Sequence, residues 1–287
     1  MSKMEGKICL ITGSNSGIGK ATALGLAKKG ATVVMACRNR ERGEKALNEI
    51  KRKSGNDKIF LMIVDLSSQN SIHQFAKNFK KKFSRLHVLI NNAGVHLFKR
   101  EETVDGFEMN FAVNYLAPFL LTNLLLDTIK ESTPARIINV SSRYHIYATL
   151  DFDDLQSKKS YRFSYRTGAD AYCKSKLALT IFTYELAKRL DGTGVTVNCL
   201  CPGVVRTNLI KEKPPLPIRV LSNLFIHQKT SEEGAETSIY LASSPDVEGV
   251  TGKFFIDKKE VPRYQKCYDK RVAQHLWKIS EKLTGLK

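Results

Sequence analysis

The chain has 287 residues, of which 42% are hydrophobic and 26% charged, both close to the averages for globular proteins. These values exclude a disordered chain, a collagen-like chain and a pure coiled coil, and they permit a core of useful size. The net charge of +18 is compatible with a nucleic-acid partner. The short Lys/Arg clusters, however, fall at predicted helix ends, where positive charges interact favourably with the helix dipole. No nucleic-acid-binding motif accompanies them, so we expect no such partner.

Strand and helix patterns alternate along the chain. Apolar runs predict strands at Lys7–Thr12, Thr32–Cys37, Ile59–Val64, Leu86–Ile90, Arg136–Val140, Val195–Leu200 and Phe254–Ile256. Helical patterns fill the gaps, the first two from about Gly17 to Lys29 and from about Arg40 to Lys53. Buried strands separated by helices are typical of an α/β fold, a single Rossmann-type doubly wound parallel sheet of about seven strands with helices on both faces. We predict one domain over residues 1–287.

Two segments extend this pattern. Residues 208–229 follow the sixth strand, on the side where such sheets bind ligands, and combine prolines with a bulky apolar stretch. An ordinary surface loop with a short amphipathic helix is one interpretation, and a lid over a hydrophobic substrate is the one we favour. Apolar residues at helical spacing predict a C-terminal helix around 269–284.

The cysteines and the apolar segments bear on location. Six scattered cysteines, with no CxxC pair and no nearby His at ligand spacing, predict a reducing compartment without disulfides or zinc. The sequence shows no signal-peptide pattern. It also has no uninterrupted run of the ~20 apolar residues that a membrane span needs, and polar residues break the longest candidate, Phe107–Ile129. We expect a soluble cytoplasmic protein, at most peripheral at a membrane through its basic surface and apolar lid.

A glycine-rich segment joins the first strand to the first helix. Glycines let the backbone turn tightly and approach a diphosphate, and the helix N-terminus supplies free N–H groups. A plain turn is the alternative, but the placement between strand and helix favours a phosphate cradle. The candidate cofactor-binding residues are Gly13, Ser14, Asn15, Ser16, Gly17, Ile18 and Gly19.

The end of the second strand distinguishes two cofactors. NAD-binding sheets carry an acid there, which hydrogen-bonds the ribose 2′-hydroxyl. Here Arg38 and Asn39 occupy the position, and the nearest carboxylate, Glu41, already lies on the predicted helix. Because a guanidinium can grip a phosphate bidentately, we predict NADP(H).

Two further strand ends fit a dinucleotide groove. Asp65, followed by Leu66, comes directly after the third strand, where its side chain could accept a hydrogen bond from adenine. Small residues after the fourth strand would let the backbone approach the adenosine ribose. Either segment alone could be a turn, but both follow C-terminal strand ends, where open α/β sheets bind ligands. The residues after the fourth strand are Asn92, Ala93 and Gly94.

Catalytic candidates follow the cradle along the chain. Tyr172 and Lys176 share one helix face, and an ammonium near a phenol lowers its pKa from ~10 towards neutrality. Such a phenol can exchange protons in carbonyl–alcohol chemistry. The pair Ser141-Ser142 ends the fifth strand, where a hydroxyl could hold a substrate oxygen, and a buried Asn114 would find a partner in a water relay to Lys176. Each of these motifs is common by chance. The interpretation as a catalytic site depends on their order along the chain after the phosphate cradle.

These motifs together resemble the short-chain dehydrogenase/reductase family. The resemblance runs from Gly6 to about Ile256. It implies that Tyr172 is the general acid/base, that Lys176 lowers its pKa and holds the nicotinamide ribose, and that Ser142 orients the substrate oxygen. It also implies that Asn114 supports the water relay and that the nicotinamide is flanked by Pro202, Gly203, Val205 and Thr207. The matching stretches are TGSNSGIG (12–19), VDLS (64–67), NNAG (91–94), Asn114, INVSS (138–142), YCKSK (172–176) and PGVVRT (202–207).

A narrower resemblance is to the retinol dehydrogenase-like subgroup, near the WW-domain-containing oxidoreductase. It is carried by stretches such as DGFEMNFAVNYLAPFLLT (105–122) and GTGVTVNCLCPGVVRTNL (192–209). It implies NADP(H) and a hydrophobic carbonyl or alcohol that is retinoid-, steroid- or aldehyde-like. Family members often pair through the helices carrying Asn114 and Tyr172, so a homodimer is a further expectation. The alternative is an NADPH-binding regulatory or scaffold protein with little turnover, against which the intact Ser142, Tyr172 and Lys176 argue.

Overall fold

The computed structural model describes residues 4–159, 161–164, 168–205, 228–262, 264, 267 and 269–286. Its first half alternates strands with helices at the predicted places, with boundaries shifted by one or two residues. The elements are β1 (Ile8–Thr12), α1 (Gly17–Lys28), β2 (Thr32–Cys37), α2 (Arg40–Ser54), β3 (Ile59–Ile63), α3 (Gln69–Lys82), β4 (Val88–Asn91), α4 (Met109–Lys130) and β5 (Ala135–Val140).

The second half adds a small ribbon and the remaining sheet strands. A 3₁₀ turn, Arg143–Tyr147, follows β5 directly. The C-terminal helix, expected around 269–284, begins where the Asp269 carboxylate accepts the backbone N–H groups of Arg271 and Val272. The elements are β6 (Phe163–Ser164), β7 (Gly168–Ala169), α5 (Asp170–Arg189), β8 (Val195–Cys201), α6 (Ser231–Ser243), β9 (Phe254–Ile256), β10 (Lys259–Val261) and α7 (Lys270–Thr284).

One eight-stranded sheet organises the molecule, in the order β10-β9-β8-β5-β4-β1-β2-β3. Seven strands run parallel, as predicted, and β10 adds an antiparallel edge. The sequence pattern did not reveal β10 because Lys259 and Glu260 are exposed and leave no apolar run. The chain turns from β1 to β2 on one side and later passes to β4 on the other. This reversal of strand order creates a crevice at the carboxyl ends of β1 and β4.

Both faces of the sheet are covered, because successive strand residues point to opposite sides. Leu10 and Val34 join a core that includes apolar residues of α3, α4, α5 and α7. Their neighbours Ile11 and Val33 join a second core with residues of α1, α2 and α6. The doubly wound α/β prediction is therefore confirmed.

Helix α4 is the most apolar long helix in the described part of the chain. It is long and apolar enough to cross a membrane, yet 78% of its most apolar window is buried inside the protein, as in a core helix. A π-helical turn, Ala112–Leu116, interrupts it. Single π-turns inside α-helices often occur at functional sites. The lid predicted at 208–229 falls almost wholly within 206–227, outside the described residues.

Candidate active site

A cleft of about 270 Å³ opens at the carboxyl ends of the central strands. A second hollow of about 180 Å³ reaches Arg38, Asp65 and Leu66 and shares Gly13, Asn15, Ala93 and Gly94 with the first. The two form one groove across the strand-order reversal, and most predicted cofactor-binding residues line it. The first cleft is lined by Gly13, Asn15, Ser16, Gly17, Ile18, Gly19, Asn92, Ala93, Gly94, Val140, Ser141, Ser142, Tyr172, Lys176, Pro202, Gly203 and Val205.

Two of the predicted cofactor-binding residues, Ser14 and Asn39, do not line this groove. Ser14 is buried, and its hydroxyl donates to the Ile11 carbonyl oxygen at 3.0 Å. Asn39 caps α2, where its Oδ1 accepts the Arg42 backbone N–H at 2.8 Å. Thr207 lies outside the described residues. The structure thus gives Ser14 and Asn39 local roles in the turn and the helix cap.

The glycine segment forms a cradle in which neighbouring atoms leave no room for a side chain at Gly13 or Gly19. Gly13 has φ +67°, and a Cβ there would lie 2.9 Å from Ala93 Cα. A Cβ on Gly19 would lie 2.4 Å from the Gly13 carbonyl oxygen. Ser16 precedes α1 without a side-chain cap, and the first turn carries no acid. The backbone N–H groups of this turn therefore suit an anionic ligand such as a diphosphate.

The loop after β4 is tied to the end of β1. Thr12 Oγ1 accepts the backbone N–H groups of Asn92 and Ala93, each at 3.0 Å. Asn92 Nδ2 donates to the Thr12 carbonyl oxygen at 2.8 Å. These bonds hold the small residues against the cradle and fix the floor of the groove.

The outer end of the groove carries an exposed cation. Arg38 lies on the rim and has no ion pair within the described part of the chain. Glu41, the nearest carboxylate that follows it, pairs with Lys45 at 2.7 Å. Asp65 accepts the backbone N–H and the hydroxyl of Ser67, at 2.9 and 2.6 Å. The guanidinium is thus available to an anionic group bound at this end.

The inner end of the groove brings Tyr172, Ser142 and Lys176 together. Burial raises the pKa of the Tyr172 phenol, while a hydrogen bond with the Ser142 side chain works in the opposite direction. The neighbouring Ser141 hydroxyl instead bonds Thr180 Oγ1 at 2.8 Å and the Lys176 carbonyl oxygen at 3.2 Å. Of the two serines, Ser142 is therefore the one paired with the phenol.

Lys176 differs from the expectation in one respect. Its Nζ donates to the Val140 carbonyl oxygen at 2.8 Å and lies 5.8 Å from the centre of the Tyr172 ring. Burial lowers the pKa of Lys176 to about 8. The sequence predicts that the pKa of the phenol falls, whereas in this structure it is raised, chiefly by the burial of Tyr172.

Asn114 lies in the π-turn of α4 and is fully buried. Its Oδ1 accepts the Val95 N–H at 2.8 Å, and its Nδ2 donates to the Val95 carbonyl oxygen at 2.9 Å and to Ser175 Oγ at 3.0 Å. The Ser175 hydroxyl donates in turn to the Tyr172 carbonyl oxygen at 2.7 Å. Asn114 thus joins the loop after β4 to the helix that carries Tyr172.

Sequence reasoning missed one residue of this site, His96. Its ring stacks on Tyr172 with centroids 4.0 Å apart and planes 16° apart, and Tyr144 meets Tyr172 edge-on at 6.4 Å. Burial, and secondarily the charge of Lys176, lowers the pKa of His96 to about 4. The signal that could have identified it is a histidine two residues beyond the NNAG segment, in the loop that follows a ligand-facing strand end.

The chain is similar to known proteins along nearly its whole length. Residues 7–150 and 160–215 match the family model of the short chain dehydrogenases. Retinol dehydrogenase 14 of Homo sapiens is 48% identical over 299 residues, covering 99% of this chain and 88% of that protein. Retinol dehydrogenase 12 of Homo sapiens is 44% identical over 286 residues, covering 99% and 88%.

Solved structures share the fold. An uncharacterized protein from Mycobacterium paratuberculosis superposes with a TM-score of 0.80 at 31% identity, covering 99% of this chain and 96% of that one. The Pseudomonas aeruginosa RhlG/NADP active-site complex superposes with a TM-score of 0.71 at 27% identity, covering 88% and 95%.

Proposed function

The chain belongs to the short-chain dehydrogenase family and is an oxidoreductase related to the retinol dehydrogenases, and on that premise we propose that it uses NADP(H) to interconvert an alcohol and a carbonyl on a hydrophobic substrate. The observation that carries the proposal is the pairing of the buried Tyr172 phenol with the Ser142 side chain at the inner end of the groove. This pairing supports Tyr172 as the proton donor and Ser142 as the hydroxyl that would hold a substrate oxygen.

The groove residues fit a nicotinamide dinucleotide phosphate. The cradle from Gly13 to Gly19 admits a ligand approaching the backbone closely, and the uncapped start of α1 suits its diphosphate. Arg38 suits a 2′-phosphate at the outer end. The similar RhlG of Pseudomonas aeruginosa forms a complex with NADP, which also supports this cofactor. When bound, the nicotinamide supplies or accepts the hydride.

The remaining chemistry belongs to the chain's own side chains. Burial keeps Tyr172 protonated near neutral pH. The phenol would donate its Oη proton to the substrate oxygen as that oxygen gains negative charge from the hydride transfer. Ser142 would hold that oxygen by a hydrogen bond. Lys176 Nζ uses one N–H on Val140 and keeps others for the ribose of the cofactor. In the reverse direction the phenolate form of Tyr172, which the forward transfer leaves behind, would accept the alcohol proton at Oη.

Exposed apolar side chains beside the groove support a hydrophobic substrate. Ile146 and Tyr147, on the turn that follows Ser142, are 39% and 48% exposed, and Val204, next to Gly203, is 48% exposed. The similar human proteins are retinol dehydrogenases, and retinol is an alcohol of this hydrophobic character. Together with the net charge of +18, these residues also support peripheral contact with an anionic membrane surface.

We extend the proposal to the organisation of the chain. Both core clusters pack on one sheet, which supports a single cofactor-binding domain. The pairing of family members through the helices equivalent to α4 and α5 supports a homodimer. Sedimentation velocity of the cofactor-bound protein would test the dimer, and a single monomeric species at micromolar concentration would contradict it.

The test of the function combines binding and turnover. Fluorescence titration should show tighter binding of NADPH than of NADH, and a panel of retinal, decanal and a 3-ketosteroid should reveal NADPH oxidation at the reduced-nicotinamide absorbance. Replacing Tyr172→Phe should lower turnover by about 10²–10⁴-fold while NADPH still binds. The matched control is Tyr240→Phe, on α6 and outside the groove lining, which should leave turnover unchanged.

Two results would decide against this function. Full activity of the Tyr172→Phe variant would remove the phenol from the chemistry. Tight NADPH binding without turnover of any carbonyl in the panel would favour the regulatory or scaffold alternative.

A further inference from the structure

His96 is a buried residue that packs against Tyr172 and has no role in the chemistry described so far. It is 5% exposed and lies face to face with Tyr172 at 4.0 Å, while Phe98 meets it edge-on at 5.1 Å. At this separation the two rings are in van der Waals contact, so the phenol ring has no space to swing towards the imidazole. Tyr144 stands edge-on to the phenol at 6.4 Å. The ring that must present the proton is therefore enclosed by two others.

The backbone on both sides of His96 is fixed by side chains of α4. Asn114 bonds both backbone groups of Val95, at 2.8 and 2.9 Å. On the other side, the Leu97 N–H donates to Asn110 Oδ1 at 3.0 Å, and the Leu97 carbonyl oxygen accepts the Tyr161 hydroxyl at 2.9 Å. Because the backbone is anchored on both sides, the His96 ring is held in one position against Tyr172.

The electrostatics of the pocket favour an uncharged ring at this place. Burial disfavours an imidazolium, and the Lys176 charge nearby adds to that effect. The Nε2 atom of His96 is buried and has no hydrogen-bond partner in the described part of the chain. The contact with Tyr172 is therefore one between two neutral aromatic faces.

We propose that His96 is a positioning residue for Tyr172, whose flat aromatic ring holds the phenol in place for proton transfer to the substrate oxygen. The inference rests on the proposed function, since it assigns Tyr172 as the proton donor. It concerns the ring of His96 and assigns no role to the imidazole nitrogens, which separates it from acid–base or hydrogen-bonding roles.

The test compares loss of the ring with its replacement. His96→Ala should lower kcat roughly tenfold to hundredfold, the effect of displacing a reacting group by about an ångström. NADPH affinity should stay within about threefold, because His96 does not line the cofactor groove. His96→Phe, which keeps an aromatic plane without nitrogen, should restore kcat to within about threefold of the wild type. Crystal structures of both variants should show the Tyr172 ring displaced or disordered in His96→Ala and unmoved in His96→Phe.

The matched control is a buried histidine that precedes β4, at the opposite end of that strand from the loop that carries His96. His87 precedes β4 and is 6% exposed, and its Nδ1 accepts the Ile8 backbone N–H at 3.0 Å. His87→Ala should therefore lower stability yet leave kcat of the folded enzyme unchanged. That result would show that loss of a buried histidine does not by itself reduce turnover.

Three other outcomes would overturn either the positioning role of His96 or the proposed function. Wild-type kcat with an unmoved Tyr172 ring in His96→Ala would refute the positioning role. An inactive His96→Phe with its Tyr172 ring in place would assign the effect to the imidazole nitrogen and also refute it. Absence of wild-type turnover would refute the proposed function, while the position of the Tyr172 ring in the two crystal structures would still decide the role of His96.

Discussion

The carboxamide of Asn114 pairs with both backbone groups of Val95. Oδ1 accepts the Val95 N–H at 2.8 Å, and Nδ2 donates to the Val95 carbonyl oxygen at 2.9 Å. Nδ2 also reaches Ser175 Oγ at 3.0 Å, so the one amide joins α4, α5 and the loop after β4. Because this loop carries His96 and borders the cofactor groove, the pair connects the stability of the fold with the geometry of the site.

Removing this amide should be costly. Asn114→Leu leaves the Val95 N–H and carbonyl without partners, which should lower the free energy of unfolding by about 3 kcal/mol and reduce turnover. Urea denaturation measures the first effect. The control is Asn123→Leu on the same helix, whose Nδ2 bonds the Phe119 carbonyl oxygen at a half-buried position and should cost about 1 kcal/mol or less. Equal losses in the two variants would contradict a special role for Asn114.

Cofactor preference should depend on the rim cation. Arg38→Asp replaces a guanidinium with a carboxylate that repels a 2′-phosphate, so NADPH affinity should fall about tenfold to hundredfold and the preference should move towards NADH. Titration with both dinucleotides measures this. Arg52→Asp, the same change of charge at the far end of α2, controls for the general field of the protein. Unchanged selectivity in Arg38→Asp would refute the assignment of Arg38.

The glycine cradle should not tolerate a methyl group. In Gly19→Ala the new Cβ would lie 2.4 Å from the Gly13 carbonyl oxygen, so the turn must open. We expect a loss of about 1–3 kcal/mol in stability and NADPH affinity at least about tenfold weaker. Gly55→Ala is the control, because its φ of +67° makes it strained while no neighbour lies within 4 Å. It should cost about 1–2 kcal/mol and leave NADPH binding intact. Wild-type NADPH affinity in Gly19→Ala would show that the cradle is not part of the cofactor site.

Lys176 should make stability depend on pH. Burial lowers its pKa from 10.5 to about 8, so the unfolded chain binds the extra proton between these values and stability rises with pH across that window. Below pH 8 the buried ammonium costs roughly 3 kcal/mol. Lys176→Met should therefore raise the free energy of unfolding at pH 7 by up to that amount, less the bond to Val140, and abolish turnover.

The increase in the free energy of unfolding caused by Lys176→Met should become smaller as the pH approaches 10. Denaturant melts of the wild type and the variant at pH 7 and pH 9.5 measure the difference. Lys188→Met, at an exposed position of the same helix, should show almost no change at either pH. A stability gain in Lys176→Met that is independent of pH would contradict the lowered pKa.

Patterns local in the chain were enough to determine most of the fold. Apolar runs marked the seven parallel strands, because strands buried on both faces need continuous hydrophobic sequence. The glycine spacing located the cradle, and the four-residue spacing of Tyr172 and Lys176 placed them on one face of α5, because helical geometry repeats over that distance. The exposed β10 was missed, since a short edge strand leaves no such signal.

Only the tertiary structure decided which distant residues meet and in what surroundings. The stacking of His96 on Tyr172, the hydrogen bond between the Ser142 side chain and the Tyr172 phenol and the bond from Lys176 to Val140 join segments that are far apart in the chain. The phenol pKa is likewise raised where the sequence predicted that it would fall, because desolvation depends on the packed environment of Tyr172 and no spacing along the chain encodes it.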